Sequence, residues 1–145
     1  MVRLASRFAL VIFVLGLLAG SAVGGFAQKT PTIDVTGPII LAFFVPVTET
    51  QLRQSPETSE SLADFQHYVA QVRPALSTRG IELREVRAER FTIRQGAMTT
   101  LYAVKKNGVG YCLASPGKEP LVQFGVLTDA DLLKLADKYF GKSKN

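Results

Sequence analysis

The chain has very few of the residues from which most active sites are built. Among its 145 residues there is one cysteine, Cys112, one histidine, His67, and no tryptophan. A lone cysteine cannot form an intramolecular disulfide, and dithiol exchange needs a second sulfur atom. A transition-metal site needs several converging histidine or cysteine ligands. These counts exclude dithiol redox catalysis and argue against a zinc-type centre, so the sequence assigns no catalytic, cofactor-binding or metal-ligating residue and no cofactor.

The first 27 residues have the pattern of a secretory signal peptide. Arg3 and Arg7 form a positive start, residues 8–19 are apolar apart from Gly16, and small residues lead to a cleavage pattern that ends at Ala27. The apolar run is short for a bilayer span, which favours cleavage over retention as an N-terminal anchor, the alternative that stays open. We therefore expect an exported protein, periplasmic or extracellular, without a stable membrane span after cleavage.

The remaining chain is moderately basic and large enough for one domain. Starting at Gln28 it would have 118 residues, and without Arg3 and Arg7 its 15 basic residues exceed its 12 acidic ones by three. A chain of this length can bury a modest core. The excess charge is spread along the sequence and no glycine-rich phosphate loop occurs, so we expect no nucleic-acid partner.

One stretch organises the rest of the chain. From Pro38 to Val45 the sequence is nearly all apolar without alternation, which predicts a strand buried on both faces, and Pro46 ends it. A polar stretch from Thr48 to Glu60 follows and predicts a long loop. In an open α/β sheet, ligands bind beside the carboxyl ends of such strands. The sequence thus predicts a protein partner that contacts either this loop or the β face.

A helix is predicted after that loop. Ser61 and Asp64 resemble a capping box at its start, Pro74 should kink or break it near residues 70–73, and Gly80 should end it. Five apolar residues share one helical face: Leu62, Phe65, Val69, Val72 and Leu76.

Residues 81–126 read as a series of strands. In residues 81–88 the apolar positions change phase, which indicates either a bulge or a change in the neighbouring elements. Phe91 and Ile93 continue an alternating pattern. Asn107-Gly108 separates two β-rich runs, 99–105 and 109–114, and predicts a hairpin between them.

Another turn at residues 115–118 leads to a strand over 121–126. Thr128 and Asp131 then predict a capped helix that ends at Gly141. Its predicted core face consists of Leu132, Leu135, Ala136 and Tyr139.

The order of elements predicts an α/β fold with one mixed sheet and helices covering its faces. The expected organisation is a signal peptide over 1–27, an extended lead-in with a short edge strand over 28–37, a single domain over 38–141 and a frayed basic tail over 142–145.

This pattern resembles the thioredoxin fold across residues 33–141. Residues 39–46 are similar to the central strand of thioredoxins, 72–76 to the proline-kinked helix, and 121–140 to the last strand and C-terminal helix. Three departures stand out. No cysteine occurs near 48–51 or 66–69, where the Cys-x-x-Cys motif would fall. No proline occurs in 106–111, where the family has its cis-proline, and β structure over 89–96 replaces the second crossover helix. The resemblance implies a thioredoxin-like scaffold without a redox centre.

The leading functional hypothesis is therefore a non-catalytic binding or accessory module of the cell envelope, favoured over an enzyme. One alternative is a single-thiol redox enzyme or sensor, which predicts that Cys112 is partly exposed and has a depressed pKa. Another is an anion-binding surface between Arg73 and Arg94, a stretch with six arginines and interleaved glutamates.

Three smaller possibilities remain beside these. A Cys112–His67 dyad would require the helix to cover that strand position. A calcium ion could be held in the predicted loop by Glu49, Glu57 and Glu60, although their spacing fits no EF-hand. An exposed aromatic platform could be formed by Tyr102, Tyr111 and Phe124.

Overall fold

The structure, a computed structural model, describes residues 29–104 and 108–142. The predicted signal peptide, Asn107 and residues 143–145 of the predicted tail lie outside the described residues. The described ranges form these elements: β1 (Thr32–Asp34), β2 (Ile39–Phe44), α1 (Glu49–Gln54), α2 (Pro56–Thr78), β3 (Glu82–Arg87), β4 (Arg90–Gln95), β5 (Met98–Ala103), β6 (Val109–Ser115), β7 (Lys118–Phe124) and α3 (Asp129–Phe140).

The strands form two mixed sheets, so the α/β class is confirmed and the prediction of one mixed sheet is wrong. One sheet has the order β3-β2-β6-β7, with β2 parallel to β3 and antiparallel to β6, and with β6 antiparallel to β7. The other has the order β1-β4-β5, with β1 parallel to β4 and β4 antiparallel to β5. The predicted short edge strand in the lead-in is confirmed as β1.

Strand β2 is the centre of the molecule, and all six of its residues are buried, as predicted. Ile40 and Phe44 point into a cluster with helices α2 and α3. Leu41 and Phe43 point the other way, into a cluster with residues of the three-stranded sheet. The prediction that helices cover the sheet on its faces is wrong for this second face. On this face the apolar residues Phe91 and Ile93 of β4 pack against β2 and take the place of a covering helix.

The phase change in β3 has a simple cause. Its register with β2 runs without a shift from Ile39–Glu82 to Phe44–Arg87. Leu83 belongs to the cluster under the helices, whereas Val86 belongs to the cluster between the sheets. The change in neighbouring elements is therefore confirmed, and the bulge is not present.

The hairpin predicted around Asn107-Gly108 is wrong. β5 pairs with β4, while β6 pairs with β2 and β7, so the two β-rich runs belong to different sheets. A local turn signal cannot specify which strand lies beside which, because β6 is selected by its long-range contacts with β2. The turn predicted at 115–118 is confirmed, since it joins β6 to β7 with Gly117 at φ 73°.

The long loop predicted from Thr48 to Glu60 is helical. Thr48 caps α1, where its hydroxyl accepts from the Gln51 N–H at 3.2 Å and the Gln51 side chain accepts from the Thr48 N–H at 2.8 Å. Ser55 caps α2 and Pro56 occupies its first position. The prediction of a loop fails because α1 buries none of its residues and so has no apolar periodicity.

Helix α2 therefore begins before the predicted capping box of Ser61 and Asp64. It continues through Pro74 to Thr78, so of the predicted kink or break only the break is wrong, and the kink stays a prediction. The helix ends as predicted beside Gly80 at φ 72°. Its buried residues are Phe65, Val69, Val72 and Leu76.

The last helix agrees with its prediction. The Thr128 hydroxyl accepts from the Asp131 N–H at 3.2 Å, the helix buries Leu132, Ala136 and Tyr139, and Gly141 follows its last residue. Among the helices of residues 29–104 and 108–142, none has the length and hydropathy required to cross a bilayer.

Candidate functional site

The carboxyl end of β2 is where the sequence places a possible ligand site. Three segments meet there: the end of β2, the first turns of α2, and the start of β6. The Val45 N–H donates to the Gly108 carbonyl at 3.4 Å, which ties the strand end to β6. Ser55 fixes the start of α2 beside it, since its hydroxyl lies 2.8 Å from that of Thr58.

These segments enclose a cavity of about 30 Å³. Its lining is mainly apolar: Phe44, Val45, Val47, Thr58, Ser61, Leu62, Gly108 and Val109. A volume of this size holds about one water molecule and no organic cofactor. Its only polar side chains are the hydroxyls of Thr58 and Ser61, so no ionisable group lines it.

Aromatic packing closes the inner wall of this cavity. The Phe44 ring meets the Phe65 ring edge-on at 5.8 Å between centroids, and the Arg87 guanidinium lies 5.4 Å from the Phe44 centroid. A cation over an aromatic face stabilises that arrangement. The end of β2 at Phe44 therefore packs into the core, whereas residues 48–51 beyond it are exposed.

Cys112 lies in the middle of β6, between the two sheets. It is fully buried, and its neighbours Tyr111 and Leu113 point to the opposite face, as strand alternation predicts. Burial raises the pKa of the Cys112 thiol to about 12. The redox alternative requires partial exposure and a depressed pKa, and this thiol has neither property.

His67 cannot partner that thiol. It is exposed on α2, where its ring lies 5.6 Å from that of Tyr68, and α2 packs on the face of the sheet opposite to Cys112. The glutamates considered for calcium lie on two helices, and Glu49 pairs with Arg53 at 3.0 Å. Within the part of the chain that the structure describes, no group of three histidine, cysteine or acidic side chains is placed to hold a metal ion.

The arginine stretch is divided among three elements and their ends. Arg79, directly after α2, pairs with Asp137. Arg84 on β3 pairs with Glu82 at 2.6 Å, and Arg94 on β4 pairs with Asp34 at 3.0 Å. Arg73 donates to the Leu83 carbonyl at 2.8 Å. Since α2 and β4 lie on opposite sides of the four-stranded sheet, these charges do not form one surface, and the anion-binding alternative stays a prediction.

The aromatic platform is not assembled either. Tyr111 is fully buried under the helices, and its hydroxyl contacts the backbone of Leu127. Tyr102 is half-buried and stacks on Phe91 at 5.4 Å. Only Phe124 is well exposed, at 42%.

The structure reveals surfaces that sequence reasoning missed. Large apolar side chains are exposed on β5, on β7 and just after β7: Met98, Leu101, Leu121, Phe124 and Val126. An open groove of about 320 Å³ lies between β7 and α3. It is lined by Gln123, Leu127, Asp131, Lys134, Leu135 and Lys138. The uncharged sequence of β5 could have indicated that its apolar side chains form a surface. The hairpin prediction, however, paired this strand with the run 109–114.

No protein-family model, no curated protein and no solved structure matches this chain.

Proposed function

We propose that this protein is an exported, non-catalytic binding module of the cell envelope, built on a thioredoxin-like arrangement of β2, α2, β3, β6, β7 and α3. The positive, apolar and small-residue pattern of residues 1–27 supports export. The strand–helix–strand unit, the antiparallel β6–β7 pair and the C-terminal helix support the thioredoxin-like arrangement.

The observation that carries the binding role is the groove between β7 and α3, here called the β7–α3 groove. It is open and about 320 Å³ in volume, whereas the cavity at the end of β2 is about 30 Å³ and apolar. Leu127 and Leu135 provide its apolar surface, and Leu121 is exposed on the same face of β7 as Gln123. Such a surface suits an apolar side chain of a protein partner.

The charged side chains that line the groove indicate the charge expected of a partner segment. Lys134 and Lys138 are exposed and line it, against the single carboxylate of Asp131. Lys134 and Asp131 are 3.9 Å apart at an exposed position, where an ion pair is weak. The net positive rim therefore favours a partner segment that has apolar residues flanked by acidic ones.

Two synthetic peptides test this role, one that alternates leucine with glutamate and one that alternates leucine with lysine. We expect the acidic peptide to bind and to shift the backbone NMR signals of Gln123, Leu127 and Leu135, and the basic peptide to bind more weakly. Combined Lys134→Glu and Lys138→Glu substitutions should weaken binding of the acidic peptide about tenfold, because two favourable charge contacts become repulsive.

The matched control reverses two exposed charges outside the groove, Lys29→Glu with Arg53→Glu, and should leave the affinity unchanged. Equal affinity of both double variants for the acidic peptide, or shifts confined to residues outside the groove, would contradict the proposal.

A further inference from the structure

The four edge strands of the two sheets differ in how well they are protected against pairing with a strand of another chain. Proteins keep edge strands from pairing with other chains by shortness, charge, proline or bulges. β1 has only three residues, β3 carries four charged residues, and β7 carries Lys118, Glu119 and Pro120 with a register shift near its start. β5, Met98–Ala103, has six residues and contains no charge, no proline and no glycine. It is the one edge among the described residues without such a device.

The free edge of β5 is also geometrically ready for pairing. The Val104 N–H donates to the Glu89 carbonyl at 2.8 Å, so the backbone groups of even-numbered residues point toward β4. Those of Thr99, Leu101 and Ala103 consequently point away from the sheet. Within residues 29–104 and 108–142, β5 pairs with β4 alone.

The same strand has the two most exposed large apolar side chains of the described residues. Met98 is 65% exposed and Leu101 is 52% exposed. The two threonines and the tyrosine of this strand favour extended backbone. Because the strand carries no charge, an identical strand can lie beside it without like-charge repulsion.

We propose that β5 pairs with β5 of a second copy, antiparallel about a two-fold axis at Leu101. The three-stranded sheet of each copy then becomes half of one six-stranded sheet. In this register the outward N–H of each Leu101 donates to the Leu101 carbonyl of the other copy, while Thr99 faces Ala103. No like charges meet, because the strand has none, and two exposed leucines become neighbours across the axis. This inference does not depend on the β7–α3 groove, which lies on the other sheet and stays open.

A designed disulfide tests both the pairing and its register. Residues opposite each other in a hydrogen-bonded antiparallel pair have Cα atoms about 5.5 Å apart, within disulfide range. Leu101→Cys should therefore form a covalent dimer when diamide takes up the two electrons and two protons. Cys112 is fully buried and should not contribute. Thr99→Cys is the matched control, because two such residues in the dimer would be about 13 Å apart along the strands.

Sedimentation velocity of the purified protein at increasing concentration, up to about 0.5 mM, tests the dimer without a covalent bond. We expect a monomer–dimer equilibrium in which Leu101→Lys raises the dissociation constant about tenfold or more, since two lysines would oppose each other. Leu121→Lys, the same change on the charged edge β7, should leave the equilibrium intact.

A protein that stays monomeric over this whole range overturns the proposal. So does a dimer that Leu101→Lys leaves unchanged, equal crosslinking by Thr99→Cys, or a different protein bound at β5 in place of a second copy. Both lysine variants should retain the circular dichroism spectrum of the parent, because the substituted side chains are exposed.

Discussion

Replacement of Phe91 by alanine should lower the free energy of unfolding by about 4 kcal/mol, the cost of removing a large aromatic side chain from a core. Phe91 is fully buried between the two sheets. Its ring lies 5.3 Å from that of Phe43 on the four-stranded sheet and 5.4 Å from that of Tyr102 on β5. The residue therefore joins both sheets, and its loss leaves a void that neither rigid sheet can fill.

Urea unfolding followed by circular dichroism measures this loss. Tyr102→Phe is the matched control, because it keeps the ring that stacks on Phe91 and removes only a hydroxyl; we expect a change within about 0.5 kcal/mol. A loss below about 1 kcal/mol for Phe91→Ala would mean that the three-stranded sheet does not pack on the other sheet as described.

The second large effect is expected at Gly110. Gly110→Ala should lower the free energy of unfolding by about 3 kcal/mol through overpacking. A Cβ atom at this position would lie 2.6 Å from Cζ of Phe43 and 2.7 Å from the Gln123 carbonyl oxygen. The carbonyl belongs to the paired strand β7 and cannot move without breaking the ladder. Phe43 in turn meets the ring of Phe124 at 5.8 Å. Glycine is thus required by its neighbours, whose close approach leaves no room for a methyl group.

Gly37→Ala is the control, since no heavy atom lies within 4 Å of a Cβ there. The two variants should differ in the midpoint of thermal unfolding by about 10 °C or more, with Gly110→Ala the lower. Similar midpoints would show that β6 can shift away from Phe43, contrary to the packing described.

The sequence predicts those elements whose signal is local and strong. The apolar run of β2 has no polar residue that could face solvent, so burial on both faces follows directly. The capped helix α3 combines Thr128, Asp131 and a regular apolar stripe. In β3, even the exchange of faces between Leu83 and Val86 is readable from the order of apolar residues.

The sequence could not predict which strands lie beside each other in the sheets. Asn107-Gly108 is a strong hairpin signal, yet β6 lies beside β2, from which it is separated by more than sixty residues along the chain. That choice depends on contacts such as Phe43 with Gly110, which no local pattern contains. Similarly, α1 is held by the reciprocal bonds of Thr48 and Gln51 rather than by a buried face.

The candidate sites also divide into those that follow from a local sequence pattern and those that tertiary packing creates. The orientation of Cys112, opposite to Tyr111 and Leu113, follows from strand alternation alone. The β7–α3 groove does not, because Gln123 on a strand and Lys138 on a helix are brought together by tertiary packing. A surface of this kind has no motif of fixed spacing that a sequence could display.

Whether the protein acts through its surface or through its one thiol is tested most directly by the reaction rate of Cys112 with a disulfide reagent, measured from acidic to alkaline pH. The thiolate is the reacting form, and burial raises the pKa of Cys112 from 9.0 to about 12. At neutral pH the native protein should react at least about a hundredfold more slowly than the urea-unfolded chain, because reaction requires opening of the core. Between pH 9 and 12 the unfolded thiol ionises first, so stability should fall as pH rises. A native rate above the unfolded one that persists at acidic pH would reveal a stabilised thiolate and contradict the proposal of a non-catalytic binding module.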